Sequence, residues 1–235
     1  MMKIAGIEKT TLIDYPGKIA CTIFIYGCNF RCKFCHNPEL VILPIEKEIS
    51  EQEILDFLKK RKNQLEGVCI TGGEPILSIK KDFLKKIKEF GYEIKIDTNG
   101  SFPEKLKEFI DEELVDFVAM DIKASKEKYS ELINFKIDLK DIEKSIKLIT
   151  SKAKDYEFRI TILEDFHSID DIKKMAQWLN FISGKKPKKL CLQGFKNKGK
   201  ILDKEFSNKK DTSEKYLKKI NKEIKDFFEE VEIRT

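Results

Sequence analysis

The stretch KIACTIFIYGCNFRCKFCHNPE, residues 18–39, joins two kinds of text. Its first part, 18–26, is a run of apolar and β-branched residues with the length of a buried strand. Its second part crowds Cys28, Cys32 and Cys35, half of the six cysteines in the chain, into eight positions and follows them with His36. A strand that delivers three thiols to one loop raises two questions: what the strand belongs to, and what the thiols hold.

Reading outward answers the first. Further strand-like runs are GVCIT (67–71), YEIKID (92–97), VDFVAMD (115–121), YEFRITIL (156–163) and KKLCLQ (188–193). Between them, apolar residues recur at helical spacing: Phe83, Leu84, Ile87 and Phe90; Leu139, Ile142, Ile146 and Ile149; Ile172, Met175, Leu179 and Ile182; Leu217, Ile220, Ile224 and Phe227. Helices are also expected near 50–62 and 103–110. Strand followed by helix, six times over, predicts a parallel sheet wrapped by helices, because parallel neighbours need a crossover. A closed eight-unit barrel takes roughly 250 residues. The expected fold is therefore α/β, a partial (β/α)6 barrel, in one domain spanning 1–235, with 1–17 as a lead-in and 194–235 as a loop and helix extension.

Composition excludes several classes. Lysine plus arginine numbers 46 against 41 for aspartate plus glutamate, with the signs interspersed, so the expectation is a solvated lysine-rich surface rather than nucleic-acid binding. No apolar run approaches the ~18 residues that span a bilayer. The amino terminus, MMKIAGIEKTTLIDYPGK, carries charges where a secretion signal has an unbroken apolar core. A cytoplasmic protein with reduced thiols is expected.

The polar text after each strand is TGGEP (71–75), DTNG (97–100), DIK (121–123), LEDFH (163–167) and QGFK (193–196), besides the cysteine stretch. The carboxyl ends of parallel strands open on one face, so residues scattered from 28 to 196 should converge there.

As for the thiols, a structural zinc site wants four ligands, and Cys21, Cys69 and Cys191 stand alone inside predicted strands, where they read as small buried hydrophobes. CKFCH matches the C-x-x-C-H haem attachment pattern, a reading that leaves Cys28 idle and requires export. An iron–sulfur cluster uses all three thiols and leaves one of four irons open to a ligand. Phe34 serves in loop packing or as a wall for an adjacent heterocycle.

C-x3-C-x-aromatic-C after a first strand, with GGEP after the second, resembles the radical S-adenosylmethionine (SAM) superfamily across most of the chain. The flanking text LIDYPGKIA…GCNFRCKFCHNPEL is similar to activating enzymes of glycyl-radical proteins, anaerobic ribonucleoside-triphosphate reductase activators above all. The resemblance implies a radical SAM-type barrel and one [4Fe-4S] cluster on Cys28, Cys32 and Cys35, with no catalytic residue beyond the cluster and SAM. Only 36 residues separate Cys35 from Gly72, too few for the cysteine-rich insert of some activators. It further implies that Gly72, Gly73 and Glu74 receive the methionine amino group, that Phe34 and His36 lie near the adenine, and that Asp97, Thr98, Asp121, Ile122 and Lys123 surround the methionine carboxylate, in part through a monovalent cation. A glycyl-radical enzyme as protein substrate and a flavodoxin or ferredoxin-type electron donor complete the implied set.

Gln193 or Lys196 stands where the pyruvate formate-lyase activator has a nucleoside-contacting histidine. His167 is expected as a solvated loop histidine, and Arg159, inside a strand, as weak evidence for a site. Two long segments, 124–138 and 194–213, are expected to border the open face where partners dock. The competing readings are a radical SAM enzyme acting on a small molecule such as a deazapurine precursor, and a non-enzymatic metal-binding or redox module.

Overall fold

The structure, a computed structural model, describes residues 2–42 and 48–235. Along the chain run β1 (Ile4–Thr11), β2 (Ala20–Ile25), α1 (Glu51–Lys60), β3 (Gly67–Gly72), α2 (Lys81–Glu89), β4 (Glu93–Thr98), α3 (Pro103–Asp111), β5 (Phe117–Asp121), α4 (Tyr129–Ile133), α5 (Leu139–Lys152), β6 (Tyr156–Ile162), α6 (Ile169–Ser183), β7 (Lys189–Gly194), α7 (Glu214–Ile224) and β8 (Glu230–Arg234). The strands form one sheet in sequence order, antiparallel between β1 and β2 and parallel from β2 to β8. β1 and β8 are its two edges, so the sheet is a barrel left open.

All six expected strands are present as β2 to β7, which bears out the open α/β barrel, and two further strands flank them at the edges. The supposed lead-in 1–17 holds β1, and the carboxyl-terminal extension ends in β8. Both are edge strands with mixed burial, and β8 (EVEIR) has only two apolar residues. Pairing with an existing edge supplies their hydrogen bonds, so neither needs a hydrophobic run of its own.

The two-residue period of the strands sorts side chains onto two faces. Ile23, Ile25, Val68, Ile70, Ile94, Ile96, Val118, Met120, Phe158, Ile160, Leu190 and Leu192 join the main core with apolar residues of the helices. Full burial of each such side chain contributes about 1.5–3 kcal/mol. Among the alternate positions, Thr71, Lys95, Asp97, Glu157, Arg159, Gln193, Glu232 and Arg234 line the cavities of the lumen. A small cluster of Tyr15, Ala20, Phe117 and Ala119 packs where β2 begins, its Tyr15 and Phe117 rings 6.0 Å apart.

The helices begin where side chains can satisfy their free N–H groups. Capping boxes pair Ser50 with Glu53 at α1 and Ser168 with Asp171 at α6. The α6 box also anchors the turn that carries His167.

Candidate active site

β2 ends at Ile25, and the chain turns at once into the cysteine loop. Register pairs Ile25 with Gly72 at the end of β3, so the two polar stretches meet. Gly73 N–H donates to Ile25 O (2.9 Å) and Glu74 N–H to Gly27 O (2.8 Å). A Cβ on Gly72 would lie 2.2 Å from Ile25 O, and one on Gly73 2.2 Å from Gly27 O; Gly72 also has φ +128°. Both glycines are thus demanded by the approach of the chain to itself, whatever ligand they also admit.

Glu74 is fully buried. Its carboxylate accepts from Thr98 Oγ1 (2.8 Å), Asn99 N–H (2.6 Å) and Ile76 N–H (3.1 Å). Burial pushes its pKa up to about 7, against the pull of those three donors. Glu74 therefore braces β4 against the β3 turn, and it is not among the residues lining the cavity above the loop. Asn99, which sequence reasoning passed over, continues this brace: its side-chain amide donates to Asn29 Oδ1 (2.9 Å), and Asn29 donates to Ser101 Oγ (2.9 Å).

Cys28, Cys32 and Cys35 are free and half-buried on the loop. With Phe34, His36, Gly72, Gly73, Asp97, Thr98, Asp121 and Lys123 they line one cavity of about 230 Å³, so most of the expected site residues converge. Ile122 does not reach the cavity; it is fully buried in the main core. Burial pushes Cys28 up to about 12 and Cys32 up to about 11 and raises Cys35, while Lys123 pulls all three down. Among the described residues, the three sulfurs are not a set lying within 4.8 Å of one another. Three thiols on one loop are one ligand short of a four-ligand structural zinc site and are the donor set of an iron–sulfur cluster with one open iron.

The expected adenine neighbours are placed differently from one another. Phe34 is packed with Ala124, Leu132, Leu163, Phe195, Ile201 and Phe206 in a second apolar cluster, with Lys123 Nζ 5.8 Å from its ring centre. His36 Nε2 is 2.6 Å from Lys196 O, and its ring lies 5.3 Å from that of Phe195. Of the two residues considered at the last strand, Gln193 lines the lower lumen and Lys196 meets His36 through its carbonyl.

The far side of the cavity is a chain of charge. Asp97 pairs with Lys95 and with Arg159 (3.1 Å); Asp121 pairs with Arg159 (2.9 Å) and with Lys123 (2.9 Å). Burial alone would raise both acids, and Arg159 chiefly, with Lys95 at Asp97 and Lys123 at Asp121, holds them below the usual carboxylate range. All four carboxylate oxygens thus face a cation of the chain. The two acids share three positive groups, Lys95, Arg159 and Lys123. Arg159, weak as a sequence signal, joins the two acids and lines both this cavity and a second one of about 490 Å³ deeper in the lumen.

His167 corrects an expectation. It is fully buried, with Nδ1 accepting from Leu163 N–H (3.1 Å) and Nε2 3.0 Å from Lys123 O. This places the proton on Nε2. Burial pushes its pKa down to about 4. The ring locks the loop after β5, including Lys123, to the loop after β6.

The two long segments are likewise not free excursions. Arg31 N–H and Lys33 N–H donate to Ile133 O (2.9 Å) and Leu132 O (3.2 Å), while Lys33 O and Cys35 O accept from Asp203 N–H (3.1 Å) and Leu202 N–H (2.9 Å). The cysteine loop is gripped from both sides by main chain.

Comparison with known proteins agrees with this geometry. Residues 22–179 match the sequence profile of the Radical SAM superfamily. A Methanocaldococcus jannaschii protein named as a candidate glycyl-radical enzyme activating enzyme is 33% identical over 99% of this chain and 95% of its own length. The pyruvate formate-lyase-activating enzyme of Listeria monocytogenes is 30% identical over 74% of this chain and 79% of its own. Among solved structures, Streptococcus suis SuiB bound to S-adenosylmethionine superposes with a TM-score of 0.67 at 15% identity over 89% of this chain, which spans about half (48%) of that protein. A domain of a pyruvate-formate lyase-activating enzyme from Bacteroides vulgatus gives 0.56 at 20% identity, over 72% of this chain and 99% of that one. These structural likenesses bear on the fold alone.

Proposed function

The chain belongs to the radical SAM superfamily and is an oxidoreductase, and we propose that it activates a glycyl-radical enzyme by removing a hydrogen from one glycine of that partner. The observation that carries this reading is the set of three half-buried thiols on one loop, lining one cavity with the GG turn and the Asp97–Arg159–Asp121–Lys123 chain. Relatives named as activating enzymes over most of this chain support the choice of a protein substrate.

In this reading Cys28, Cys32 and Cys35 hold a [4Fe-4S] cluster. When bound, the cluster supplies the electron that splits the sulfonium of SAM. The residues of the chain do the rest by position and charge. Gly72 and Gly73 keep the cavity wall free of side chains beside the amino group, and Lys123 and Arg159 present positive charge to the methionine carboxylate. Phe34 and His36 border the adenine. Glu74 acts through Thr98 and Asn99 as a brace. The two aspartates hold Lys123 and Arg159 in place, so the site is set before ligand arrives. No helix among the described residues is long and apolar enough to cross a membrane. The remaining members of the set are the partner enzyme and a flavodoxin or ferredoxin-type electron donor.

The test is anaerobic incubation of reconstituted chain, reductant and SAM with candidate glycyl-radical enzymes, followed by electron paramagnetic resonance. A glycine-centred doublet with one candidate is the expected result. Cleavage of SAM with no doublet, together with conversion of a small heterocycle, would replace this reading with that of a small-molecule enzyme. No cleavage at all would leave a metal-binding module.

A further inference from the structure

We propose that the Tyr129 hydroxyl donates a hydrogen bond to the Cys32 sulfur once the three cysteines are loaded, and that this bond makes the bound cluster easier to reduce; the inference rests on the reading of Cys28, Cys32 and Cys35 as cluster ligands. Tyr129 opens α4, whose last two residues take hold of the cysteine loop on either side of Cys32. Arg31 N–H donates to Ile133 O (2.9 Å) and Lys33 N–H to Leu132 O (3.2 Å). Side chains three and four positions apart share one side of a helix, and Tyr129, Leu132 and Ile133 are all fully buried. The tyrosine is held from behind as well. Trp178 meets its ring edge-on, 6.1 Å between centres, and Lys128, the residue before it, is tied to Asp171 (2.7 Å) and to Phe166 O (3.2 Å).

The hydroxyl of this anchored ring has no partner. Tyr15, Tyr92 and Tyr216 donate to Glu93, Leu58 O and His167 O, and Tyr156 accepts from Lys188 N–H. Tyr129 is the most deeply buried of these five, yet its oxygen is shut off from solvent without a completed hydrogen bond. Folded chains avoid leaving a buried hydroxyl uncompensated, so the exception calls for a reason. Of the buried side-chain polar atoms left so among the described residues, this one stands on the element that grips the cysteine loop.

Its surroundings say which group it waits for. Burial raises its pKa, Lys123 opposes the rise, and Cys32 and Asp121 add to it, so the hydroxyl keeps its proton at neutral pH. The Lys123 N–H bears on the hydroxyl oxygen as a donor and leaves that proton free. Asp121 has one oxygen on Arg159 and the other on Lys123. The sulfurs differ too: Cys28 accepts from Phe30 N–H (3.4 Å) and Asn37 N–H bears on Cys35, whereas Cys32 has its own N–H. A ligated thiolate at Cys32 is therefore the acceptor still open. A donor beside a cluster sulfur favours the more negative, reduced form over the oxidised one. Tyr129 is thus a positioning residue that acts through the charge on sulfur, and no atom is transferred.

The experiment compares reconstituted wild type with Tyr129→Phe, which removes the hydroxyl alone, and with Tyr92→Phe, which removes a buried hydroxyl that already has a partner. Neither SAM nor a partner protein is added. Redox titration against dithionite, read by electron paramagnetic resonance of the reduced cluster, gives the potential. Where the wild-type cluster is half reduced, the ratio of reduced to oxidised cluster in Tyr129→Phe should be about three- to tenfold lower, a shift of about 30–60 mV for one electron. Tyr92→Phe should keep the wild-type potential. Before loading, Tyr129→Phe should match or exceed the wild-type denaturant midpoint, because it removes an unsatisfied group, while Tyr92→Phe should fall below it. Equal potentials in wild type and Tyr129→Phe would overturn the inference, as would equal shifts in the two variants. A Tyr129→Phe protein less stable than wild type before loading would also overturn it, since the hydroxyl would then have a partner in the unloaded fold. Wild type with no iron–sulfur absorption would overturn it together with the reading of the three cysteines, whereas the other outcomes leave that reading in place.

Discussion

Around the upper cavity, the β2–β3 side is held by main chain and the β4–β6 side by charge. On the first side Gly72 and Gly73 let two strand ends interlock, and the cysteine loop is hydrogen-bonded to two later segments, at 132–133 and 202–203. On the second, Lys95, Asp97, Arg159, Asp121 and Lys123 are matched across three strands. The difference teaches that one site uses two tolerances. Backbone interlock accepts no added atom, whereas an ion-pair chain can lose a member and relax, at the cost of leaving a buried charge short of partners.

The largest expected effect is therefore on the first side. Gly72→Ala places a methyl 2.2 Å from Ile25 O at a backbone angle that L residues rarely adopt, and should cost about 4 kcal/mol or more. Denaturant midpoints should show it, together with loss of iron retention after reconstitution. A wild-type midpoint would break the comparison.

Next comes Arg159→Met, which leaves Asp97 and Asp121 with one cation each. Truncating one member of a buried charge network costs about 3–4 kcal/mol, with Arg159→Lys recovering part. Because both acids sit below their usual range in the wild type, they contribute stability that is present above the ordinary aspartate pKa and lost as pH falls through the depressed one. The variant should consequently lose less stability on acidification than the wild type below about pH 4. Equal acid sensitivity in the two proteins would show that Arg159 is not what binds this side together.

The smallest effect concerns the latch between the two sides of β5 and β6. His167 is neutral in the fold, with its pKa pushed down to about 4, so the unfolded chain takes up a proton first as pH falls below about 6.5. Stability is full above that value and should decline by about 2–3 kcal/mol toward pH 4. A His167→Gln variant should be less stable at pH 7 and show a flatter slope between pH 6.5 and 4. An unchanged slope would assign the acid sensitivity to other groups.

The strands and helices that carry both a burial period and enough length were legible directly, as were Cys28, Cys32, Cys35, Gly72 and Gly73, because each is a local pattern whose chemistry is contained in a few neighbouring positions. Edge strands β1 and β8 were not, since a strand that borrows its hydrogen bonds from a neighbour needs no hydrophobic signature. Glu74 was legible as a residue but not as a brace; its role depends on Thr98 and Asn99, which lie more than twenty positions away.

Spacing in the chain alone thus determined an open parallel α/β scaffold and the placing of three thiols beside a glycine pair. Only the folded molecule decided that Arg159 joins two acids, that His167 is buried, and that the long segments clamp the cysteine loop. The reason is physical: periodicity and glycine requirements act between near neighbours, while ion pairing and burial depend on distances in space that the order of residues does not state.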